Sequence, residues 1–282
     1  MELRYSKPME IPADTPAFLG ADQADNRVRI FNPFSPEDRK PTLWSYPAED
    51  EAPIKFMPTD AKRVEIAGVV HILAAYHGRV RLVRLRDRKL IKDFPSYSSC
   101  HSAEVLPDGA IVTANSNHGK LRLHQDAKQF TDLELPYAHG VTWDKTRERL
   151  WALGDLLYRL RYEDGKLAVD QKHKMPMTPT GHDLFPLRDE AKLLVSNNDA
   201  LFLFDIAKGS FETISKLEEI KSASQHLDGT IWATDPSNMK GAASWQTDSV
   251  MRVRPAEPKL AHRNRGSKFY KARWWQKVPF SY

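Results

Sequence analysis

The chain contains TANSNHGKLRL at residues 113–123: a strand that ends in small or polar residues, a tight turn, and a second strand in which apolar and basic residues alternate. Alternation with a period of two is typical of a strand with one buried face and one face in water. The pattern recurs at residues 20–31, 73–82, 151–160, 195–204 and, with an insertion, 232–253. Six copies of one hairpin predict an all-β repeat protein.

A second repeat precedes most of these hairpins and carries one histidine in each copy. These histidines lie 38, 43 and 44 residues apart and are His101, His139, His182 and His226. An interval of about 40 residues is typical of one four-stranded propeller blade. Because the first strand of each blade lines the central channel, equivalent residues of successive blades meet near the axis. Together the two repeats predict a six-bladed β-propeller with four-stranded blades.

The two ends of the chain indicate how the ring closes. The N-terminal region supplies a hairpin without a preceding channel strand, whereas residues 267–275 form a strand without a following hairpin. We therefore expect the C-terminal strand to join the N-terminal blade, which also removes exposed sheet edges. The predicted organisation is an N-terminal extension over residues 1–16 and one propeller domain over residues 17–282.

Composition restricts the partners. The net charge is +5, but most lysines and arginines are interleaved with acids, so we expect no nucleic-acid partner. No apolar stretch is long enough to cross a bilayer as a helix, and residues 1–16 do not resemble a signal peptide. The single cysteine, Cys100, cannot form an internal disulfide. We therefore expect a cytoplasmic protein that does not bind membranes.

Several short strings resemble those of a known family. They are HSAEVLPDG at 101–109, HGVTWD at 139–144, GHDL at 181–184, KS at 221–222 and FYKARW at 269–274. This combination is similar to a bacterial propeller family, often described as WD40-like, whose function is not established. The resemblance covers nearly the whole chain and implies a fold but no activity.

The four histidines are candidate metal ligands, since neutral imidazole commonly binds divalent metals. The arrangement is similar in kind to that of oligogalacturonate lyase, a propeller with one more blade, which holds manganese through channel histidines and a glutamine. That resemblance implies a divalent ion (Mn, Zn or Ca) and a role for Gln225. Only one of Gln225 and His226 can face the channel, so we expect three histidine ligands before four. Two alternatives remain open: the histidines bond only backbone and water, or they bind substrate without metal.

Basic residues on the predicted channel strands form a second candidate feature. They include Arg273 and Lys271 near the C-terminus and Arg63 in the second blade. Arginine holds a carboxylate through two parallel hydrogen bonds, which suits an acidic sugar. We expect Lys271, Arg63 and Glu104 to bind substrate. The alternative is that these cations pair with acids such as Glu65 and Glu104.

These features predict a carbohydrate-active enzyme whose pocket lies in the central channel and binds a small molecule or oligosaccharide. In β-elimination from an acidic saccharide, a metal or Arg273 would neutralise the carboxylate. His139 or His182 would then remove the adjacent proton, and a further group would protonate the leaving oxygen. Hydrolysis would use the same residues. The alternative is a non-catalytic propeller that binds a small ligand or a partner protein.

Overall fold

The fold is that of a closed ring of antiparallel sheets. The computed structural model describes residues 9–38, 40–188, 191–235, 237 and 243–282. Its strands form six sheets of four strands each. Residues 1–8 of the predicted N-terminal extension lie outside the described residues. No helix in the described ranges has the length and apolar character needed to cross a membrane.

Blades 1 to 3 combine the first half of the chain with its last strand. Blade 1 contains, from the channel outward, β24 (Phe269–Trp274), β1 (Phe18–Asp22), β2 (Arg27–Phe31) and β3 (Thr42–Tyr46). Blade 2 contains β4 (Pro58–Ile66), β5 (Val69–Tyr76), β6 (Arg79–Arg84) and β7 (Leu90–Pro95), with a 3-10 turn at Leu85–Asp87. Blade 3 contains β8 (Cys100–Val105), β9 (Ile111–Asn115), β10 (Lys120–His124) and β11 (Phe130–Glu134).

Blades 4 to 6 follow in chain order. Blade 4 contains β12 (Gly140–Asp144), β13 (Arg149–Leu153), β14 (Leu156–Glu163) and β15 (Lys166–Lys174). Blade 5 contains β16 (Asp183–Pro186), β17 (Lys192–Ser196), β18 (Leu201–Asp205) and β19 (Ser210–Ser215). Blade 6 contains β20 (Ala223–Gln225), β21 (Ile231–Thr234), β22 (Ser249–Arg254) and β23 (Ala261–Arg263). The predicted all-β, six-bladed propeller is confirmed.

The ring closes as predicted, by pairing β24 with β1. The register places Leu19 opposite Arg273 and Gly20 opposite Ala272. A Cβ atom on Gly20 would lie 2.7 Å from two ring carbons of Phe269, so only glycine lets the closing strand approach this closely. Apolar side chains of β24 also pack with blade 6, where the ring of Trp274 contacts that of Trp232. The C-terminal strand therefore links the first and last blades.

The residues after β24 pack across one end of the propeller. The Ser281 hydroxyl donates a hydrogen bond to the Trp143 carbonyl (2.7 Å), and the Lys145 amide donates one to the Phe280 carbonyl (3.0 Å). Phe280 packs with apolar residues of blades 4 and 5, whereas Tyr282 also contacts those of blades 2 and 3. This segment covers the end where β4 finishes and leaves the opposite end of the channel for a cavity.

Candidate functional site

A cavity of about 420 Å³ lies at the end of the channel opposite the C-terminal segment. Every blade contributes to its wall at or near the start of a channel strand. The contributing side chains include Tyr270 of blade 1, Thr59 of blade 2, His101 of blade 3, His139 of blade 4, His182 of blade 5 and Lys221 of blade 6. Residues far apart in sequence therefore meet because the blades repeat around one axis.

The structure brings three of the four predicted histidines together. The ring centroids of His101 and His139 are 4.5 Å apart, and those of His139 and His182 are 5.5 Å apart. His77, whose position in a hairpin turn predicts a surface residue, also lines the cavity, with its centroid 5.9 Å from that of His101. A row of four imidazoles from four consecutive blades thus forms one side of the site.

His226 is placed elsewhere. It follows the far end of β20, where its ring centroid lies 4.1 Å from that of Trp274 and its Nδ1 lies 3.0 Å from an Asp228 oxygen. Gln225 also points away, since its side-chain oxygen accepts a hydrogen bond from the Arg188 amide (3.2 Å). The residue of blade 6 that reaches the cavity is Lys221, which precedes β20 by two positions. Metal ligation by His226 with the other three histidines therefore lacks support from its position.

The three central imidazoles are neutral at neutral pH. Burial, reinforced by the Lys271 charge, lowers the pKa of His101 to about 3. Burial followed by the charge of Lys221 lowers the pKa of His182 to about 4. Burial and the neighbouring histidines hold the pKa of His139 well below its usual value. All three side chains can therefore accept a proton or coordinate an electrophile.

The tautomer of His139 is fixed by its neighbour Tyr137. The His139 Nδ1 lies 2.9 Å from the Tyr137 carbonyl oxygen, which can only accept, so Nδ1 carries the proton and Nε2 keeps its lone pair. Tyr137 has a φ of 58°, which is uncommon for a non-glycine residue and recurs near functional sites. Its ring also lines the cavity, with its centroid 4.3 Å from that of His139. The sequence offered no signal for Tyr137 beyond its proximity to His139.

Lys221 supplies a cation in the cavity. Its Nζ lies 3.0 Å from His182 Nε2 and donates a hydrogen bond to a Glu219 oxygen (2.5 Å), and His182 Nε2 also contacts the Asn198 side-chain oxygen. Burial lowers the pKa of Lys221, and Glu219 opposes this shift. The sequence indicates no role for Lys221, although it follows His182 by 39 residues, because the repeat that predicts the site is a series of histidines.

The predicted cations of the C-terminal strand lie behind the histidines in a buried ion network. Arg273, 2% exposed, pairs with Asp60 and Asp183. The Lys271 Nζ lies 3.0 Å from an Asp183 oxygen and 3.4 Å from the His139 carbonyl oxygen. Neither cation belongs to the described lining of the cavity. Their charges are compensated by carboxylates, so these two cations lie beneath the cavity wall and are not free to bind a ligand there.

Glu104 and Arg63 are also held away from the cavity. Glu104 is buried beside Lys62 (3.3 Å) and accepts a hydrogen bond from the Trp143 amide (3.3 Å). Arg63 pairs with Glu65 (3.1 Å), lies over the ring of Trp275 and lines a separate cavity. These pairs match the alternative in which basic strand residues are neutralised by acids. Substrate binding by Glu104 or Arg63 stays a prediction, and their placement does not support it.

The donor set fits a divalent metal poorly. Within the described part of the chain, no group of three or more histidine, cysteine, aspartate or glutamate side chains is placed to hold an ion. His101 and His139 have the required neutral form, but His182 Nε2 lies 3.0 Å from the Lys221 ammonium. A second cation at this position would be repelled by that charge. Metal binding stays a prediction.

The fold and site define a class: a six-bladed propeller with a histidine-lined cavity at one end of its channel. Within this class, a family of unknown function (DUF6528) matches residues 43–282, and the chain belongs to that family. No curated protein matches the sequence closely enough to be a relative. The WD40-like character and the similarity to oligogalacturonate lyase stay predictions.

Solved structures share the fold at low identity. A protein of unknown function from Bacteroides caccae is 14% identical, with 93% of this chain and all of that chain aligned at a TM-score of 0.58. Virginiamycin B lyase from Staphylococcus aureus is 12% identical over 73% of this chain and 69% of its own, with a TM-score of 0.53. Hydrazine synthase from Kuenenia stuttgartiensis is 14% identical over 73% of this chain and 65% of its own, with a TM-score of 0.54. At such identities the similarity concerns the fold alone.

Proposed function

We propose that the cavity is the active site of a lyase that performs β-elimination on an acidic saccharide. The observation that carries this proposal is the convergence of three neutral imidazoles and one lysine ammonium, from four consecutive blades, on a single cavity of about 420 Å³. A neutral base beside a cation is the pair that proton removal next to a carboxylate requires.

Lys221 binds the substrate carboxylate in this proposal. Its Nζ reaches the cavity wall, and its only carboxylate partner among the described residues is Glu219, whose side chain is 42% exposed. A second carboxylate can therefore approach the ammonium without displacing a buried acid. Partial neutralisation of that carboxylate lowers the pKa of the adjacent C–H group. Lys221 thus takes the role that the sequence assigned to Arg273 or a metal.

His139 is the base that receives the proton. Its Nε2 holds the lone pair because Nδ1 is bonded to the Tyr137 carbonyl. In the free protein the lowered pKa makes this imidazole a weak base. A bound carboxylate places a negative charge nearby and raises the histidine pKa towards neutrality. The base therefore becomes effective when the acidic substrate is present.

Tyr137 is the acid that protonates the leaving oxygen. Burial raises the pKa of its hydroxyl, so the phenol keeps its proton at neutral pH. The C–H bond breaks as its proton moves to His139, a C=C bond forms, and the adjacent C–O bond breaks as Tyr137 gives its proton to the oxygen. Exchange with water returns both residues to their starting forms.

The propeller similarity gives limited support. One solved structure is a catalytically inactive histidine-to-alanine variant of virginiamycin B lyase from Staphylococcus aureus with quinupristin. It is 14% identical over 77% of the present chain and 75% of the lyase chain, with a TM-score of 0.52. In that protein, loss of one histidine accompanies loss of catalysis. A lyase reaction on a fold of this kind is therefore physically reasonable, and the choice of a saccharide rests on the proposed carboxylate site.

The test is turnover of galacturonate oligosaccharides by the wild-type protein and by His139→Ala, followed through the ultraviolet absorbance of the new C=C bond. Loss of a general base lowers rates by about 10²- to 10⁴-fold, so we expect a loss of that size. His173→Ala, which removes a histidine of the outer strand β15, is the matched control. Saturated products would indicate hydrolysis instead, and binding without turnover would favour the non-catalytic alternative. Unchanged turnover by His139→Ala would refute the proposal.

Elemental analysis of protein purified without added metal tests the competing role of a divalent ion. The ammonium beside His182 leads us to expect no stoichiometric transition metal. One equivalent of bound manganese or zinc, lost together with activity on chelation, would instead support the metal-assisted reaction.

A further inference from the structure

Trp245 differs from every other tryptophan of the chain. The sequence contains seven tryptophans, and the other six are between 1% and 4% exposed, whereas Trp245 is 40% exposed. It also lines the same cavity as the histidines. An indole that stays in contact with water does not contribute the favourable free energy that burial of such a large apolar side chain normally provides. Its position is therefore better explained by a ligand than by packing.

The indole is held in place by a glutamine cluster. Its Nε1 donates to the side-chain oxygen of Gln23 (3.3 Å), which also accepts from Gln246 Nε2 (2.7 Å). The Gln23 amide nitrogen in turn donates to the Pro58 carbonyl (2.9 Å). The polar edge of Trp245 is thus satisfied by the protein itself, and the ring face needs no polar partner. A ring fixed in this way loses little conformational freedom when a ligand binds.

We propose that Trp245 is a stacking platform for an uncharged face of a sugar ring adjacent to the reacting unit. This deepens the proposed function and rests on it for the choice of a saccharide. The C–H face of a sugar ring is apolar and packs on an indole, while its hydroxyl edge needs hydrogen-bonding groups. The cavity wall supplies such groups at Ser99 and Asn117.

The arrangement also sets a minimum ligand length. Lys221 binds the carboxylate of the unit from which the proton is removed, and Trp245 binds the neighbouring unit. Because the proposed carboxylate site and the Trp245 platform hold different units, we expect a monosaccharide to gain only one of the two contacts. The site therefore takes an acidic oligosaccharide of at least two units, and it distinguishes oligomers from monomers through Trp245.

The experiment compares trigalacturonate with monomeric galacturonate in the whole protein. Dissociation constants come from calorimetry, and acrylamide quenching of tryptophan fluorescence reports on Trp245, the one tryptophan of the seven that is substantially exposed. We expect trigalacturonate to protect the fluorescence from quenching and the monomer to give little protection. We expect Trp245→Ala to raise the Kd of trigalacturonate about tenfold and to change that of the monomer less than twofold, whereas Trp245→Phe keeps most of the affinity.

The control is Phe34→Ala, which removes an aromatic side chain that is 50% exposed and does not belong to the described cavity wall. It should change neither constant. An unchanged Kd for trigalacturonate in Trp245→Ala, or equal losses for trimer and monomer, would overturn the platform. If Trp245→Ala loses affinity while His139→Ala keeps full turnover, the assignment of His139 as the base fails and the platform stands. If neither ligand binds the wild-type protein, the saccharide assignment fails for both.

Discussion

Replacing Arg273 with methionine should lower the free energy of unfolding by about 4 kcal/mol at neutral pH. Losses of this size are usual when one partner of a buried ion pair is removed and the other stays buried. The guanidinium is 2% exposed and bridges Asp60 and Asp183. Lys271, whose Nζ lies 3.0 Å from an Asp183 oxygen, still compensates that carboxylate in the variant. Asp60, which is 1% exposed, loses its closest cation.

The magnitude follows from the protonation of Asp60. Burial raises the pKa of this carboxyl, but Arg273, Lys271 and Lys62 outweigh burial and hold it at about 2. The carboxylate therefore contributes stability above its unfolded pKa of 3.8, and the contribution is lost as the pH falls towards 2. We expect that without Arg273 burial outweighs Lys271 and Lys62, so that the Asp60 carboxyl takes up a proton on folding. At pH 7 this uptake costs about 4 kcal/mol, because each pH unit above the unfolded pKa costs about 1.4 kcal/mol.

Urea unfolding of the wild type and Arg273→Met at pH 7 and pH 5 measures the effect. The folded variant binds one more proton than the folded wild type. The difference between their free energies of unfolding, which we call the stability deficit of the variant, should therefore shrink by about 3 kcal/mol between pH 7 and pH 5. The comparison at each pH cancels the contributions of the histidines, which both proteins share. A deficit below about 1 kcal/mol at pH 7, or one that does not change with pH, would refute the account of the ion network.

Two further predictions concern stability. Burial lowers the pKa of His124 to about 4, so the wild type should lose about 2 kcal/mol of its free energy of unfolding at this residue as the pH falls from 7 to 5. In His124→Leu the loss measured by urea unfolding should be smaller by that amount. A loss equal to that of the wild type would contradict the burial effect. A Cβ on residue 154 would lie 2.2 Å from the Pro136 carbonyl oxygen. Gly154→Ala should therefore lower the free energy of unfolding by about 2 kcal/mol. A variant with wild-type stability in the same assay would show that the backbone there can move.

The fold could be predicted from sequence because its signals are local and repeated. The two-residue alternation at residues 113–123 and in the other copies marks each hairpin, and the blade-sized interval orders them. Closure of the ring also followed from local reasoning, since a hairpin without a channel strand needs a partner. The structure confirms each of these.

The site was only partly predictable because channel strands start at variable points within each repeat. The histidine series indicates His226, whereas the blade-6 residue that enters the cavity is Lys221, 39 residues after His182, because β20 contains only three residues and His226 follows its far end. The acids that neutralise Arg273 lie far away in sequence, with Asp60 separated from it by 213 positions. No local pattern reveals such pairs, nor the exposure of Trp245.

The proposed chemistry depends on His101, His139 and His182 meeting at the cavity as neutral imidazoles. The most direct measurement is an NMR titration of the histidine ring signals between pH 8 and pH 5, assigned by substituting each histidine in turn. We expect these three rings to keep the chemical shifts of the neutral form throughout, and we expect added trigalacturonate to raise the titration midpoint of His139. Rings that titrate near the unperturbed value of about 6.5 would contradict this expectation, because they would be solvated side chains rather than walls of a buried site.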